Sequence, residues 1–136
     1  MTDAVTVTTV VRADPVAAFE IFTGEIDRWW SRGPLYRDRE VMRFEGGRLL
    51  KGEAEIGRVL AWEPGVRLVM SWEESAEVEV RFTAIGDGTR VTLEHRGLPQ
   101  RGEAYRSQVG LWWGRLLTAF RGAGNAAGSA AIDLGA

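Results

Sequence analysis

His95 is the single histidine of the chain, and there is no cysteine. No thiolate nucleophile, Cys-ligated zinc, iron–sulfur cluster or multi-histidine metal site can be built from such a composition, and any histidine-based triad must be built on His95. His95 shares strand parity with Val91 and Leu93. That setting usually holds a satisfied core histidine; contact with a polar ligand group and acid/base catalysis are the other two readings. No neighbouring motif supplies an orienting partner. Glu53 and Glu55 would stand about 7 Å apart on one strand face, a separation glycosidases also use, but same-face acids are common on solvated strands. The run from Gly122 to Gly128 has the wrong third spacing for a dinucleotide loop and follows a helix instead of a strand. There is no Walker A sequence, no GxSxG and no metal-ligand cluster, so no metal and no cofactor are expected.

The remaining residues with something to offer a ligand are apolar. Trp30, Met42, Phe44, Met70, Trp72, Phe82, Trp112 and Leu116 fall, with His95, on predicted inward faces. Plain core packing accounts for each of them singly. Pocket lining is the functional reading, because aromatic and thioether side chains offer large, polarisable, adaptable contact area. Six tryptophans in a short chain favour the second reading, since a shallow sheet-plus-helix core is hard to fill with indoles without gaps. Trp29-Trp30 and Trp112-Trp113 are adjacent pairs that point about 100° apart around a helix. One member of each is expected nearer the edge, where a cavity would open.

Those residues sit on elements of two periods. Val5, Val7, Thr9 and Val11 alternate as a strand. Asp14 then caps a helix with Pro15 at its first position, and Gly24 ends it. Glu25 to Trp30 reads as a second short helix. From Arg39 to Arg96 the period is two, with turns at Gly46-Gly47, Pro64-Gly65 and Gly86-Asp87-Gly88. Arg58 shares parity with Ile56, Leu60 and Trp62, so either Gly57 marks a bulge or Arg58 is a paired inward charge; the bulge is favoured. Glu73-Glu74-Ser75 and Arg37-Asp38-Arg39 read as solvated loops. Tyr105, Val109, Trp112, Trp113, Leu116, Leu117 and Phe120 recur at helical spacing. Gly110 and Gly114 leave a smooth stripe there, suited to close packing on a sheet or on a second chain. The order predicts an α+β fold: a curved antiparallel sheet of about seven strands around a long C-terminal helix, with two short helices after the first strand.

Length and charge bound the rest. The 136 residues make one domain, expected over 1–122, with a flexible Gly/Ala-rich tail over 123–136. Lys plus Arg is 17 against 19 Asp plus Glu, and every basic residue except Lys51 is arginine. With no basic surplus or stripe, nucleic acid is not an expected partner. No apolar run approaches the ~20 residues that span a bilayer, and the first residues lack a signal peptide's basic and apolar regions. A cytoplasmic protein with no membrane partner is the expectation.

Four stretches narrow the family: Glu25-Ile26-Asp27-Arg28-Trp29-Trp30, Val59-Leu60-Ala61-Trp62-Glu63-Pro64, Arg67-Leu68-Val69-Met70-Ser71-Trp72, and Gly88-Thr89-Arg90-Val91-Thr92-Leu93-Glu94-His95. With the Trp112-Trp113 helix, and with Asp14-Pro15 opening the first helix, the chain resembles the START-like (SRPBCC) helix-grip superfamily. Within it, the chain resembles the family related to the activator of the Hsp-90 chaperone ATPase. The resemblance runs from Val5 to about Phe120. It implies a seven-stranded sheet gripping the C-terminal helix over an apolar cavity, which superfamily members use for lipids, hormones or polyketides; some are cyclases or hydratases. The leading expectation is a binding protein holding a small hydrophobic or aromatic ligand between sheet and helix. Two alternatives stand beside it: a polyketide cyclase- or hydratase-like enzyme using His95, and a chaperone-associated interaction module. Self-association as a homodimer through the Gly110/Gly114 stripe belongs with the last.

Overall fold

The Asp14 side chain accepts a hydrogen bond from the Ala17 N–H at 2.8 Å, with Pro15 following at the first helical position. Helix α1 (Pro15–Gly24) therefore starts where its capping chemistry dictates. Helix α2 (Ile26–Trp30) follows at once. The structure, a computed structural model, describes residues 4–30, 40–72, 75–99 and 101–135, with side chains described up to 126. The loop expected at Arg37-Asp38-Arg39, and Glu73-Glu74 of the other, lie outside the described residues.

Strand β1 (Val5–Val11) precedes the two helices; β2 (Met42–Glu45), β3 (Arg48–Lys51), β4 (Ala54–Glu63), β5 (Arg67–Trp72), β6 (Ala76–Ile85) and β7 (Gly88–Arg96) follow. They form one seven-stranded antiparallel sheet in the order β1-β7-β6-β5-β4-β3-β2. Six strands are thus a meander, and β1 closes the sheet by pairing with the last of them, Val5 opposite His95 and Val11 opposite Thr89. Cross-strand partners share a face. Leu68, Met70 and Trp72 lie opposite Val80, Val78 and Ala76, and all six are buried on the concave side.

Strand β4 carries two bulges. Leu49 pairs with Gly57 but Leu50 pairs with Glu55, leaving Ile56 over. Val59 pairs with Met70 but Ala61 pairs with Val69, leaving Leu60 over. Arg58 is exposed and donates to Glu55 at 3.2 Å, so the bulge expected beside Gly57 is present and no inward arginine is needed.

Helix α3 (Glu103–Gly135) runs along β1. A Cβ on Gly110 would stand 3.4 Å from Val5, and one on Gly124 would stand 3.3 Å from Val11. The fourteen steps from one glycine to the other rise about 21 Å in a helix. The strand from Val5 to Val11 advances about 20 Å. Two glycines so placed let helix and strand run side by side at close range. Gly110 of the expected stripe is therefore used internally, whereas Gly114 faces open space. The helix also continues past the boundary expected at residue 122: Gly124 is buried, and Asn125 Oδ1 accepts from the Arg12 N–H at 2.9 Å. Trp113, Leu116, Leu117 and Phe120 form its buried face.

Candidate functional site

All six tryptophans and all five phenylalanines belong to one connected network of ring contacts across the concave face. At one end Phe44 meets Trp62 with ring centres 5.5 Å apart, and Trp62 meets Phe19 edge-on at 5.2 Å. Phe19 and Phe22 of α1 both contact Phe82, and Phe22 contacts Trp29 at 4.9 Å. Trp29 leads to Trp30, which touches Trp72, Trp112 and Trp113 at 5.6–5.9 Å. The edge-to-face and tilted geometries place positive ring edges against negative faces, which is how dense aromatic packing is stabilised.

His95 closes the far end. Its ring lies 6.0 Å from Trp113 and 6.1 Å from Trp72. The Trp113 indole N–H donates to His95 Nδ1 at 2.9 Å, and both side chains are buried. An Nδ1 that accepts carries no proton, so a neutral imidazole here has its proton on Nε2. Trp113 is thus the orienting partner for His95 that no linear motif announced.

The nine residues expected to line a cavity are all on the concave side. Trp30, Trp72, His95 and Trp112 come together at the α2–α3 end, and Phe82 sits under α1 with Phe44 at the groove beyond it. Met42, Met70 and Leu116 are buried members of the same core. Of the adjacent pairs, Trp112 is half-buried above a fully buried Trp113, as expected of an edge residue. Trp29 and Trp30 are both buried, because Trp29 finds Phe22 and Phe120 on one side while Trp30 finds the other indoles.

Two open concavities adjoin this network. One, of about 310 Å³, is lined by Phe44, Glu45, Gly46, Gly47, Val59 and Trp62. The other, of about 450 Å³, lies between α2 and α3 and is lined by Arg28, Trp29, Ala119, Gly122 and Ala123. Trp62 was not among the residues expected inside. Strict alternation from Val59 sends it outward; the extra residue Leu60 turns it back, and its partner Leu68 confirms the concave face. The Leu60 bulge is invisible in the hydropathy pattern, since the strand parity of Arg58 signalled only the bulge beside Gly57.

Acid/base chemistry finds little support among the described carboxylates. Glu53 is exposed in a turn, and Glu55 is exposed and paired with Arg58 and Arg48. The buried acid is Glu79, on the convex face, where it accepts from Arg96 at 2.7 Å and Arg81 at 3.0 Å. Hydrogen bonds from Arg81 and Arg96 hold its carboxyl at about 2, against the desolvation that would raise it. Hydrogen bonds to Glu79, then Glu77 and Glu94, raise Arg96. That network ties β5, β6 and β7 together and faces away from the aromatic side. Among the described residues, no group of acids and histidine is placed to hold a metal, and no helix is long and apolar enough to cross a membrane.

Several solved structures share this fold. CalU16 from Micromonospora echinospora is 28% identical, with a TM-score of 0.64, over 85% of this chain and 72% of that one. The Aha1 dimer from Colwellia psychrerythraea, solved in solution, is 12% identical with a TM-score of 0.70, over 90% of this chain and 96% of that one. DynU16, a protein of the dynemicin biosynthetic locus, is 19% identical with a TM-score of 0.65; the match takes in 89% of this chain but 46% of that one. No curated protein matches the chain. The family model described as Activator of Hsp90 ATPase homolog 1-like protein matches residues 12–123, from the end of β1 deep into α3, and the chain belongs to that family.

Proposed function

We propose that this protein binds a small hydrophobic or aromatic molecule on the concave face of its sheet, between the sheet and α3, without transforming it. The observation that carries this reading is the ring network, which spans the face and keeps partly exposed rings at both ends, Trp112 at one and Phe44 and Trp62 at the other. Aromatic walls of this kind bury most of a flat ligand's surface with few polar groups. The proposed contacts are Trp30, Met42, Phe44, Met70, Trp72, Phe82, His95, Trp112 and Leu116. The likeness in fold to DynU16, a protein in the dynemicin biosynthetic locus, is consistent with a small-molecule ligand. A cyclase or hydratase role for His95 is less well supported, because Nδ1 is already engaged by Trp113.

Native mass spectrometry of the purified protein, together with a fluorescence titration, tests the reading. Flat aromatics, fatty acids and short polyketide mimics form the panel, with Trp72→Leu as the control. Saturable quenching that weakens in a folded Trp72→Leu is expected. No bound molecule and no saturable response across the panel would refute it. The dimer formed by the Colwellia relative supports a second reading, self-association, through the face of α3 that leaves Leu111 64% exposed beside Gly114. Sedimentation at micromolar concentration decides it: a monomer throughout rejects the dimer.

A further inference from the structure

Trp62 is the one indole left largely open, 45% exposed, although the Leu60 bulge turns it onto the concave face. The bulge thus re-aims the ring toward the concave side without burying it, and bulges of this kind recur where a side chain is re-aimed for use. The groove beside it holds about 310 Å³, at the lower end of the range of small-molecule sites. Its two rings form a corner: Trp62 stands at 69° to Phe44, with Phe19 buried edge-on behind it. A planar molecule lying on one ring of such a corner presents its edge to the next, the preferred geometry for aromatic contact.

The lining also selects by charge. Glu45 is its one charged residue. Arg43 donates to Glu45 at 3.4 Å but is anchored on the Gly52 carbonyl at 2.9 Å and does not line the groove. The Gly47 carbonyl is already taken by the Val59 N–H. Among the described lining residues a ligand therefore meets a carboxylate acceptor and no cation, which disfavours anions and favours a hydrogen-bond donor.

We propose that the groove between the β2–β3 hairpin and β4 is a binding site for a planar aromatic molecule that carries no negative charge, packs on Trp62 and donates a hydrogen bond to Glu45. This rests on the ligand-binding reading above and names where on the concave face the ligand sits and what it carries.

The test is an NMR titration of the full ¹⁵N-labelled chain with 2-naphthol, following the indole N–H signals. The Trp62 signal is expected to shift saturably, while the Trp113 signal, bonded to His95, stays in place. Removing the donor with 2-methoxynaphthalene should weaken binding by about tenfold, the worth of a hydrogen bond to a charged group. The anion 2-naphthoate should also bind several-fold more weakly. In Glu45→Gln the gap between 2-naphthol and 2-naphthoate should close. Trp62→Leu should lose the site with its other indole signals unmoved; if that variant does not fold, the exposed Glu45→Gln carries the test. Saturable shifts at Trp30, Trp72 or Trp112 with Trp62 unmoved would overturn the groove and leave ligand binding standing. Undiminished binding by a folded Trp62→Leu, or no saturable shift of any indole, would also overturn the groove. Whether the protein binds any apolar ligand is then decided separately by the wider panel.

Discussion

Breaking the Trp113–His95 hydrogen bond gives a sharp measure of how the buried end of the aromatic face is held. Trp113 is fully buried and donates across 2.9 Å, linking the middle of α3 to the end of β7. Trp113→Phe removes the donor and leaves Nδ1 against hydrocarbon, a cost of about 1–3 kcal/mol. The smaller ring leaves a void on the order of 1–2 kcal/mol more. His95→Leu strands the indole N–H in turn and costs a similar desolvation. The double variant removes both polar ends, so it should be less destabilised than the sum of the singles by about 1 kcal/mol. The cycle cancels whatever else each side chain touches. Urea unfolding of the four proteins at pH 8 supplies the numbers, provided the m-values agree. Additivity within about 0.5 kcal/mol would mean that the bond does not hold α3 to β7.

Glu79→Gln tests the convex network. The folded carboxyl sits at about 2 against an ordinary 4.5. Its folded value is depressed, so its contribution is present above about pH 5 and is lost as pH falls toward 2. The full shift corresponds to about 3 kcal/mol. Arg81, 62% exposed, and Arg67, 42% exposed, are screened by solvent, so about 1–2 kcal/mol is the expected loss at pH 7. Thermal melts from pH 2 to 7 should show a shallower acid dependence in the variant, and parallel curves would reject the assignment. Gly57→Ala would push a Cβ into the Ser71 carbonyl oxygen and part β4 from β5, a loss of about 2 kcal/mol or more by urea unfolding. Asp14→Ala removes the cap on Ala17 and should cost about 1 kcal/mol, with Asp14→Asn restoring most of it.

Local chemistry is written in the order of residues. Asp14-Pro15 announces a helix start because a cap and a fixed φ act within one turn. Strict alternation in β6 and β7 announces a one-sided sheet because side chains on a strand have a period of two. The inward position of His95, the apolar face of α3 and the α+β architecture all follow from such short-range rules. What no short-range rule reaches is the meeting of distant segments. The pairing of β1 with β7 and the run of α3 along β1 through Gly110 and Gly124 depend on backbones that approach only in the folded chain. So does the bond from Trp113 to His95, which neither residue's neighbours foretell. Trp62 is the clearest case: the bulge beside Gly57 by itself would point it outward, and the extra residue Leu60, accommodated only by pairing with β5, returns it to the concave face. Residue types and their periods therefore determined that the protein would have an aromatic concave wall. Which of those rings are packed away, and which are left open to a ligand, was decided by strand register and helix docking, because both are set by contacts between residues far apart in the chain.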